Sequence, residues 1–257
     1  MRDEASGWIS LHPGEFYLLW TELGLGELPA VLEIPYVGRT AQARAALVDL
    51  ASRALADRDL GTVARPAADL EAMLRALAEP DIRLDLQVYG GPDVSFRAVG
   101  VAGGRGVVTA GAGDGDVLLG PVSRQALPAA LLQAVPELPA GIGSPGNARM
   151  ADYVRACRAG EHDGAGGFLD VLRRAGVRPS EANVFLRAVT AHTGGGWFGA
   201  GARSHDGRWM RAPGVVSWVD TGEGRYALRR RGEWVTVTPA DPPRLLSLVE
   251  DSLVDLS

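Results

Sequence analysis

Two stretches of this sequence align with each other over 22 residues without a gap, and this internal similarity constrains the fold more than any other feature. Val117–Leu138 matches Val235–Leu256, and the alignment places Ser123 on Asp241. Both are residue types that cap helix N-termini. In each stretch the pattern is that of a strand followed by a capped helix. We therefore predict that one supersecondary plan occurs twice in the chain.

The similarity extends upstream of both stretches. Arg65-Pro66 and Arg178-Pro179 each open a helical pattern, and proline is favoured in the first turn of a helix. The order of helix, Arg-Pro, helix, strands and helix is thus the same in both halves. We predict one domain of 257 residues made of two pseudo-repeats, about residues 13–138 and 147–256. A segment rich in Pro and Gly, residues 136–146, is the predicted linker.

Apolar periodicity predicts the individual elements. Helical spacing is found in the segments 13–23, 41–57, 66–77, 123–135, 150–157, 168–172, 179–192 and 241–249. Strand patterns are found in the segments 31–37, 82–88, 94–101, 106–110, 117–119, 197–202, 215–219, 226–230 and 234–237. Because the strands come in runs between helices and are separated by short Gly-rich turns, the predicted fold class is α+β.

The composition excludes several classes of function. The net charge is −5, which argues against non-specific nucleic-acid binding because that requires a basic field. With 46% hydrophobic residues, the chain can bury a core. The sequence contains no lysine, so that a Schiff-base lysine, a P-loop lysine and a Ser-Lys dyad are all excluded.

Compartment and membrane contact are also predicted from composition. Cys157 is the single cysteine, which rules out an intrachain disulfide. The charged N-terminal residues lead to no apolar signal core. The longest uncharged apolar stretch, residues 125–136, is too short to span a membrane and is broken by Pro128. We expect a cytoplasmic protein without stable membrane insertion.

Candidates for catalysis are sparse. Gly141–Gly146 fits the pattern G-x-G-x-x-G, but Pro139 precedes it and Pro145 stiffens it, whereas a dinucleotide site follows a strand and opens a helix. His162 lies between two carboxylates, and the glycines around it predict a solvated loop. No catalytic, cofactor-binding or metal-binding residue is predicted. An enzyme that uses His192 or His205 with nearby carboxylates stays open as an alternative.

Two further groups have ordinary structural explanations. Cys157 shares an apolar helical stripe with Met150 and Val154, which is typical of a core residue. Arg229-Arg230-Arg231 ends a predicted strand, and alternation would divide these side chains between the two faces of a sheet.

Several blocks of sequence together resemble the EspG family of ESX, or type VII, secretion-associated proteins. The blocks are Glu15–Trp20, Leu23–Pro29, Gly196–Arg203, Gly214–Thr221, Gly224–Tyr226 and Trp234–Asp241. Their order and spacing, rather than one motif, carry the resemblance, which covers about residues 13–256. It implies a central, mostly antiparallel sheet flanked by helical bundles.

The resemblance also implies a function. Family members are cytosolic chaperones that bind the helical tip of a PPE protein within a PE–PPE pair, keep that tip soluble and help to deliver the pair for secretion. The family offers no catalytic residue to transfer. The turn at Gly90–Asp93 is shorter than the loop of PPE-binding members, so no binding residue is carried over. A protein-interaction domain unrelated to secretion stays a second alternative.

A chaperone of this kind needs an exposed sheet or groove that meets helices. In the segment 82–88, apolar residues alternate with Arg83, Asp85 and Gln87, which predicts a polar sheet face. We expect this face, with Arg97 on the neighbouring strand, to bind the partner. Trp209 and Arg211 join the predicted site because Trp and Arg are enriched among interface hot spots.

Overall fold

A computed structural model describes Asp3 and residues 6–90, 94–113 and 115–254 of the chain. The fold is α+β, with a large antiparallel sheet and flanking helices, as predicted. The residues form two compact units. Unit 1 comprises Met1–Leu86, Ser95–Leu131 and Ala202–Trp209, and unit 2 comprises Gln87–Val94, Leu132–Gly201 and Met210–Ser257. Most of the predicted turn Gly90–Asp93 lies outside the described residues.

Unit 1 is built from the elements of the first half. Its helices are α1 (Pro13–Glu22), α2 (Ala41–Ala56), α3 (Ala68–Ala78) and α4 (Leu127–Leu132). Its strands are β1 (Ile9–Leu11), β2 (Ile82–Gly90), β3 (Val94–Gly103), β4 (Gly106–Ala112) and β5 (Val117–Pro121), in the sheet order β1-β5-β4-β3-β2. The unit boundaries fall inside β2, at the first residue of β3 and before the last residue of α4.

The core of unit 1 lies between the sheet and helices α1 to α3, and α1 shows why the sequence folds this way. His12 caps α1: its Nδ1 accepts from Gly14 N, and its own N donates to Glu15 Oε2 (2.9 Å). Glu15 is buried and pairs with Arg58 (2.5 Å). The helix then buries Phe16, Leu18, Leu19 and Trp20. Burying one large apolar side chain contributes ~1.5–3 kcal/mol, so this short helix is held by packing.

Unit 2 is built mainly from the elements of the second half. Its helices are α5 (Met150–Arg174), α6 (Pro179–Val189) and α7 (Pro242–Val254). Its strands are β6 (Gly146–Arg149), β7 (His192–Arg203), β8 (Trp209–Arg211), β9 (Val216–Thr221), β10 (Gly224–Arg231) and β11 (Trp234–Pro239). The order is β7-β9-β10-β11-β6, with β8 paired to β7. Unit 1 holds the last two residues of β7 and the first of β8.

Helices α5 and α6 form the core of unit 2 with strands β6, β10 and β11. Phe168, Leu172 and Phe185 are fully buried in it, and Tyr226 and Val237 cover it from the sheet. Helix α5 is broken at Gly164, whose φ of 64° and ψ of −157° are not helical. His162 is exposed in the helical part that precedes this break, rather than in the predicted loop.

Several predicted elements need correction. The predicted strand 31–37 is instead a 3₁₀ turn, Ala30–Leu32, because Pro29 precedes the segment, Pro35 lies inside it, and both lack the N–H group that a ladder needs. The predicted helix 123–135 is confined to α4. Helix α2 buries Ala51 and Leu55, whereas Ala43 and Leu50, which helical spacing predicts on its inner face with Leu47 and Ala54, are exposed.

The predicted linker, residues 136–146, is tied to the sheet. Gly141 N donates to Arg225 O, and Arg225 N donates to Pro139 O, both at 2.9 Å. Tyr226 Oη also accepts from Ile142 N (2.9 Å). Gly146 then begins β6, a strand absent from the sequence prediction. The G-x-G-x-x-G pattern therefore leads from a segment bridged to β10 into β6, and not from a strand into a helix.

The aligned residues of the two units have matching environments. Ser123 Oγ accepts from Ala126 N (3.3 Å), and Asp241 Oδ1 accepts from Arg244 N (2.9 Å). The helices that follow bury Leu127 and Leu245, which the alignment also pairs. The internal duplication and the boundaries of its two pseudo-repeats stay a prediction.

Candidate partner-binding site

The predicted polar face of β2 is present. Leu84, Leu86 and Val88 are buried, and Arg83, Asp85 and Gln87 are half-buried between them, so the alternation is confirmed. Arg83 Nε donates to Asp85 Oδ1 (2.8 Å) along the strand. Gln87 Oε1 accepts from Trp197 Nε1 (2.9 Å). These polar groups thus have intramolecular partners, and they form a stiff surface rather than a set of free side chains.

Arg97 lies on β3 opposite Ala112. Its Nη2 is 2.8 Å from Glu33 Oε2, in an ion pair whose arginine side chain is 27% exposed. Its Nε is buried and has no partner among the described residues. Glu33 has a φ of 47°, in the left-handed region, in the turn after Leu32. Unit 1 therefore presents a partly exposed guanidinium that is already paired with a carboxylate.

Trp209 and Arg211 lie on β8, a strand whose three residues are all exposed. Trp209 is 41% exposed and Met210 is 49% exposed. Arg83, Asp85, Arg97 and Trp209 belong to unit 1, and Gln87 and Arg211 belong to unit 2. Of these six predicted residues, Arg83 and Asp85 contact each other, while Arg97 pairs with Glu33 and Gln87 with Trp197.

Unit 2 contains a pocket that was missed in the sequence. We call it the unit 2 pocket; its volume is about 480 Å³. Helix α5, strands β9, β10 and β11 and the segment before β9 supply its lining: Met150, Tyr153, Ala212, Pro213, Gly214, Val215, Ser217, Leu228, Arg230 and Val235. The volume is within the ~300–1,000 Å³ that is common for binding pockets.

A break in strand pairing creates this pocket. β8 ends at Arg211, and β9 starts to pair with β10 at Val216, opposite Arg229. Ala212 N still donates to Ala200 O of β7 (2.9 Å), and residues 213–215 then lie outside the strands, as a proline inside a strand-like run often requires. Gly214 passes so close to β10 that a Cβ atom there would lie 2.5 Å from Arg230 O. The Pro-Gly pair in this run was the sequence signal for the break.

The lining is mostly apolar and carries one charge. Val215 is 48% exposed, whereas Val235 is buried. Burial raises the pKa of the Tyr153 hydroxyl, which keeps that group neutral. Arg230 is the one charged lining residue; its Nε donates to Gly232 O (3.0 Å), and it pairs with no carboxylate in the described part of the chain. The pocket can therefore accept an apolar group and place a cation beside it.

The histidines do not form a catalytic cluster in what the structure describes. His12 caps α1, His192 Nε2 lies 2.7 Å from Ala188 O, and His162 and His205 are exposed. Cys157 is half-buried on α5, and burial is the main cause that raises the pKa of its thiol. Among the described residues, no group of three His, Cys, Asp or Glu side chains is arranged to hold a metal ion.

Within the described ranges, no helix has the length and apolar character needed to cross a bilayer.

Comparisons with known proteins add a family and a fold. The profile of the EspG family matches residues 12–251. A solved structure of the Mycobacterium tuberculosis type VII secretion system chaperone EspG5, in complex with a PE25–PPE41 dimer, is similar to this fold with a TM-score of 0.79. The two chains are 20% identical, and the match covers 97% of each. No curated protein sequence matches this chain.

Proposed function

The chain belongs to the EspG family, and from this premise we propose that it is a cytosolic chaperone that binds a PE–PPE-like dimer and delivers it to a type VII secretion system. The observation that carries the proposal is the fold shared over 97% of both chains with a chaperone solved in complex with such a dimer. The EspG family is not known as a family of enzymes, and the proposed role requires no catalysis.

The physical need for a chaperone follows from the client. A helical dimer that is destined for export displays an apolar tip, and exposed apolar patches promote aggregation. A protein that binds the tip lowers the concentration of its exposed form by mass action. Release must follow, so an interface of apolar anchors with a polar rim suits the task better than a wholly apolar seal.

The unit 2 pocket supplies the apolar anchor in this proposal. Leu228 and Val235 lie on its sheet side, and Met150 and Tyr153 line it from helix α5. An apolar side chain that enters it leaves water, and burial of one large side chain contributes ~1.5–3 kcal/mol. Val215, half-exposed among the lining residues, would contact the part of the client next to that side chain.

The six residues predicted from the sequence are proposed as partner contacts, each within its own unit. Arg83 and Asp85, held by their ion pair, offer fixed hydrogen-bonding groups in unit 1, and Arg97 offers a partly exposed guanidinium that is paired with Glu33. Trp209 offers an exposed aromatic surface on the same unit. Gln87 and Arg211 are proposed as partner contacts in unit 2. Arginine and tryptophan are the side chains most often found to dominate binding free energies.

The test is binding between purified proteins. Each PE–PPE-like dimer encoded by the same genome is titrated with the chain in a calorimeter, and the complex is sized by light scattering. We expect a one-to-one complex with at least one dimer. If the chain binds none of them, the proposed function is wrong, and the alternatives of an enzyme using His192 or His205 or of an unrelated interaction domain regain weight.

A matched pair of variants tests in the same assay whether the pocket belongs to the interface. Val215→Glu places a charge at the pocket, whereas Val254→Glu makes the same change at a residue that is 73% exposed on α7 and does not line the pocket. Desolvating an unpaired charge is costly, so we expect Val215→Glu to weaken binding at least about tenfold and Val254→Glu to leave it unchanged. Equal affinities for the two variants would remove the pocket from the interface.

A further inference from the structure

The charge around the unit 2 pocket differs from that of the whole chain. The chain carries a net charge of −5, yet no lining residue is acidic and Arg230 is basic. The neighbouring arginine, Arg229, lies 3.5 Å from Asp251 Oδ2, so that its charge is partly balanced within the unit. Arg230 is exposed and has no such carboxylate partner in the described ranges. A positive charge is thus left at an apolar pocket.

The backbone fixes where this cation lies. Arg229 pairs with Val216, the first residue of β9. Arg230 is the next residue of β10 and therefore lies beyond the paired part of β9. Its side chain is held by the bond from Nε to Gly232 O (3.0 Å). Gly214 packs directly against its carbonyl oxygen. The same strand break that opens the pocket therefore also positions the guanidinium beside it.

From this arrangement we infer that the unit 2 pocket takes an apolar side chain of the client's helical tip that lies next to a carboxylate, and that Arg230 binds that carboxylate. The inference rests on the proposed function and names the chemistry that the site selects. A guanidinium offers paired N–H groups that match a carboxylate, and charge-assisted bonds of this kind are stronger than neutral ones.

Arg230 would favour one kind of client and disfavour another. A client tip with a carboxylate at this position gains a partner for its charge as the interface excludes water. A tip with Lys or Arg there meets a like charge, which disfavours the wrong client. Among related PE–PPE-like dimers with similar apolar tips, the chain would therefore prefer the one with an acidic residue beside the inserted side chain.

The experiment uses the PE–PPE-like dimer that binds the wild-type chain in the titration above. Arg230→Gln is compared with Arg231→Gln, a change of equal charge at the next residue, which alternation directs to the other face of β10. Carboxylates of the client tip are replaced by amides one at a time. We expect Arg230→Gln to weaken binding about tenfold, and Arg231→Gln to have no more than a small effect.

A double-mutant cycle then identifies the partner group. One client amide variant should also lose about tenfold in affinity, and combining it with Arg230→Gln should cause little further loss. The loss caused by Arg230→Gln alone should shrink in high salt. If wild type binds but Arg230→Gln and Arg231→Gln behave alike, or if every client carboxylate acts independently of Arg230, this inference is wrong while the proposed function stands. If wild type binds no dimer, the proposed function itself has failed and the inference with it.

Discussion

Arg225 is fully buried against Asp220, with its Nε 2.6 Å and its Nη2 3.2 Å from the two carboxylate oxygens. The two residues are direct partners across the hairpin of β9 and β10. Arg225 Nη2 also donates to Pro136 O (2.8 Å), and the guanidinium carbon lies 5.9 Å from the centre of the Trp218 ring. One buried ion pair thus joins the hairpin to the segment that precedes β6.

The first prediction concerns this pair. Breaking a buried ion pair leaves the remaining charge without compensation, which costs about 3–5 kcal/mol. We expect Asp220→Ala to lower the free energy of unfolding by that amount, measured by denaturant titration followed by circular dichroism. The control is Glu223→Ala, because Glu223 pairs with Arg187 at the surface and such pairs contribute about 0–1 kcal/mol. Similar losses in the two variants would contradict the prediction.

This pair also shows why part of the core was hidden in the sequence. Arg225 and Asp220 are charged, and each alone is typical of a solvated strand end; only the register of a two-residue hairpin brings them together in the core. The unit 2 pocket was missed for a related reason. Its lining comes from one helix and from several strands that are distant in sequence, and its opening depends on a break in strand pairing.

Local patterns were more informative where neighbours in sequence are also neighbours in space. The alternation at 82–88 correctly gave the buried and half-buried faces of β2, since side chains of a strand point to opposite faces. The cap at Asp241 was correct because a cap accepts from an N–H three residues ahead. Ser123 accepts in the same way from Ala126 N, but α4 begins only at Leu127, so Ser123 is not its N-cap. The prediction of a strand at 31–37 was wrong, because the apolar residues of this segment pack around a 3₁₀ turn instead of along a ladder.

The second prediction tests the exposed aromatic of unit 1. If Trp209 lies at the centre of the interface, Trp209→Ala should weaken client binding by at least about 2 kcal/mol, as removal of an interface hot spot does. Trp234→Ala is the control, since Trp234 is also about half-exposed but lies on β11 of unit 2. Calorimetry with the bound dimer measures both, after circular dichroism shows that each variant is folded. An unchanged affinity for Trp209→Ala removes this residue from the site.

The third prediction tests Arg97. Arg97→Glu replaces the ion pair with Glu33 by a like-charge contact and removes the unsatisfied N–H. We expect a folded protein that binds the dimer at least about tenfold more weakly, because reversed charge at a buried interface position is costly. Arg105→Glu, which disturbs the exposed pair with Glu79, is the matched control. Should both variants retain wild-type affinity, the polar face of β2 and β3 is not the docking surface.

The fourth prediction concerns Cys157. Burial is the main cause that raises the pKa of its thiol, with Glu161 adding to the effect, although the bond to Tyr153 opposes them. A raised pKa means less thiolate at pH 8 than in a free cysteine, and the thiolate is the reactive form. We expect iodoacetamide to label Cys157 more slowly than N-acetylcysteine at pH 8, with a rate that rises further at pH 9 to 10. Labelling in denaturant should remove the difference, and equal rates in the folded protein would contradict the raised pKa.

The last prediction tests the backbone device that shapes the unit 2 pocket. A Cβ atom at residue 214 would lie 2.5 Å from Arg230 O, and that atom belongs to backbone that cannot move without displacing β10. Gly214→Ala should therefore lower the free energy of unfolding by about 1–3 kcal/mol, as overpacking does.

The same substitution should also affect binding, because it displaces the residue that we infer contacts the client's carboxylate. We expect Gly214→Ala to weaken client binding even under conditions in which the variant is fully folded. The loss of affinity then does not come from unfolding. The control is Gly222→Ala, since a Cβ atom there meets nothing within 4 Å. If Gly214→Ala and Gly222→Ala unfold at the same denaturant concentration and bind the dimer equally well, the close approach of residue 214 to β10 does not determine the geometry of the pocket.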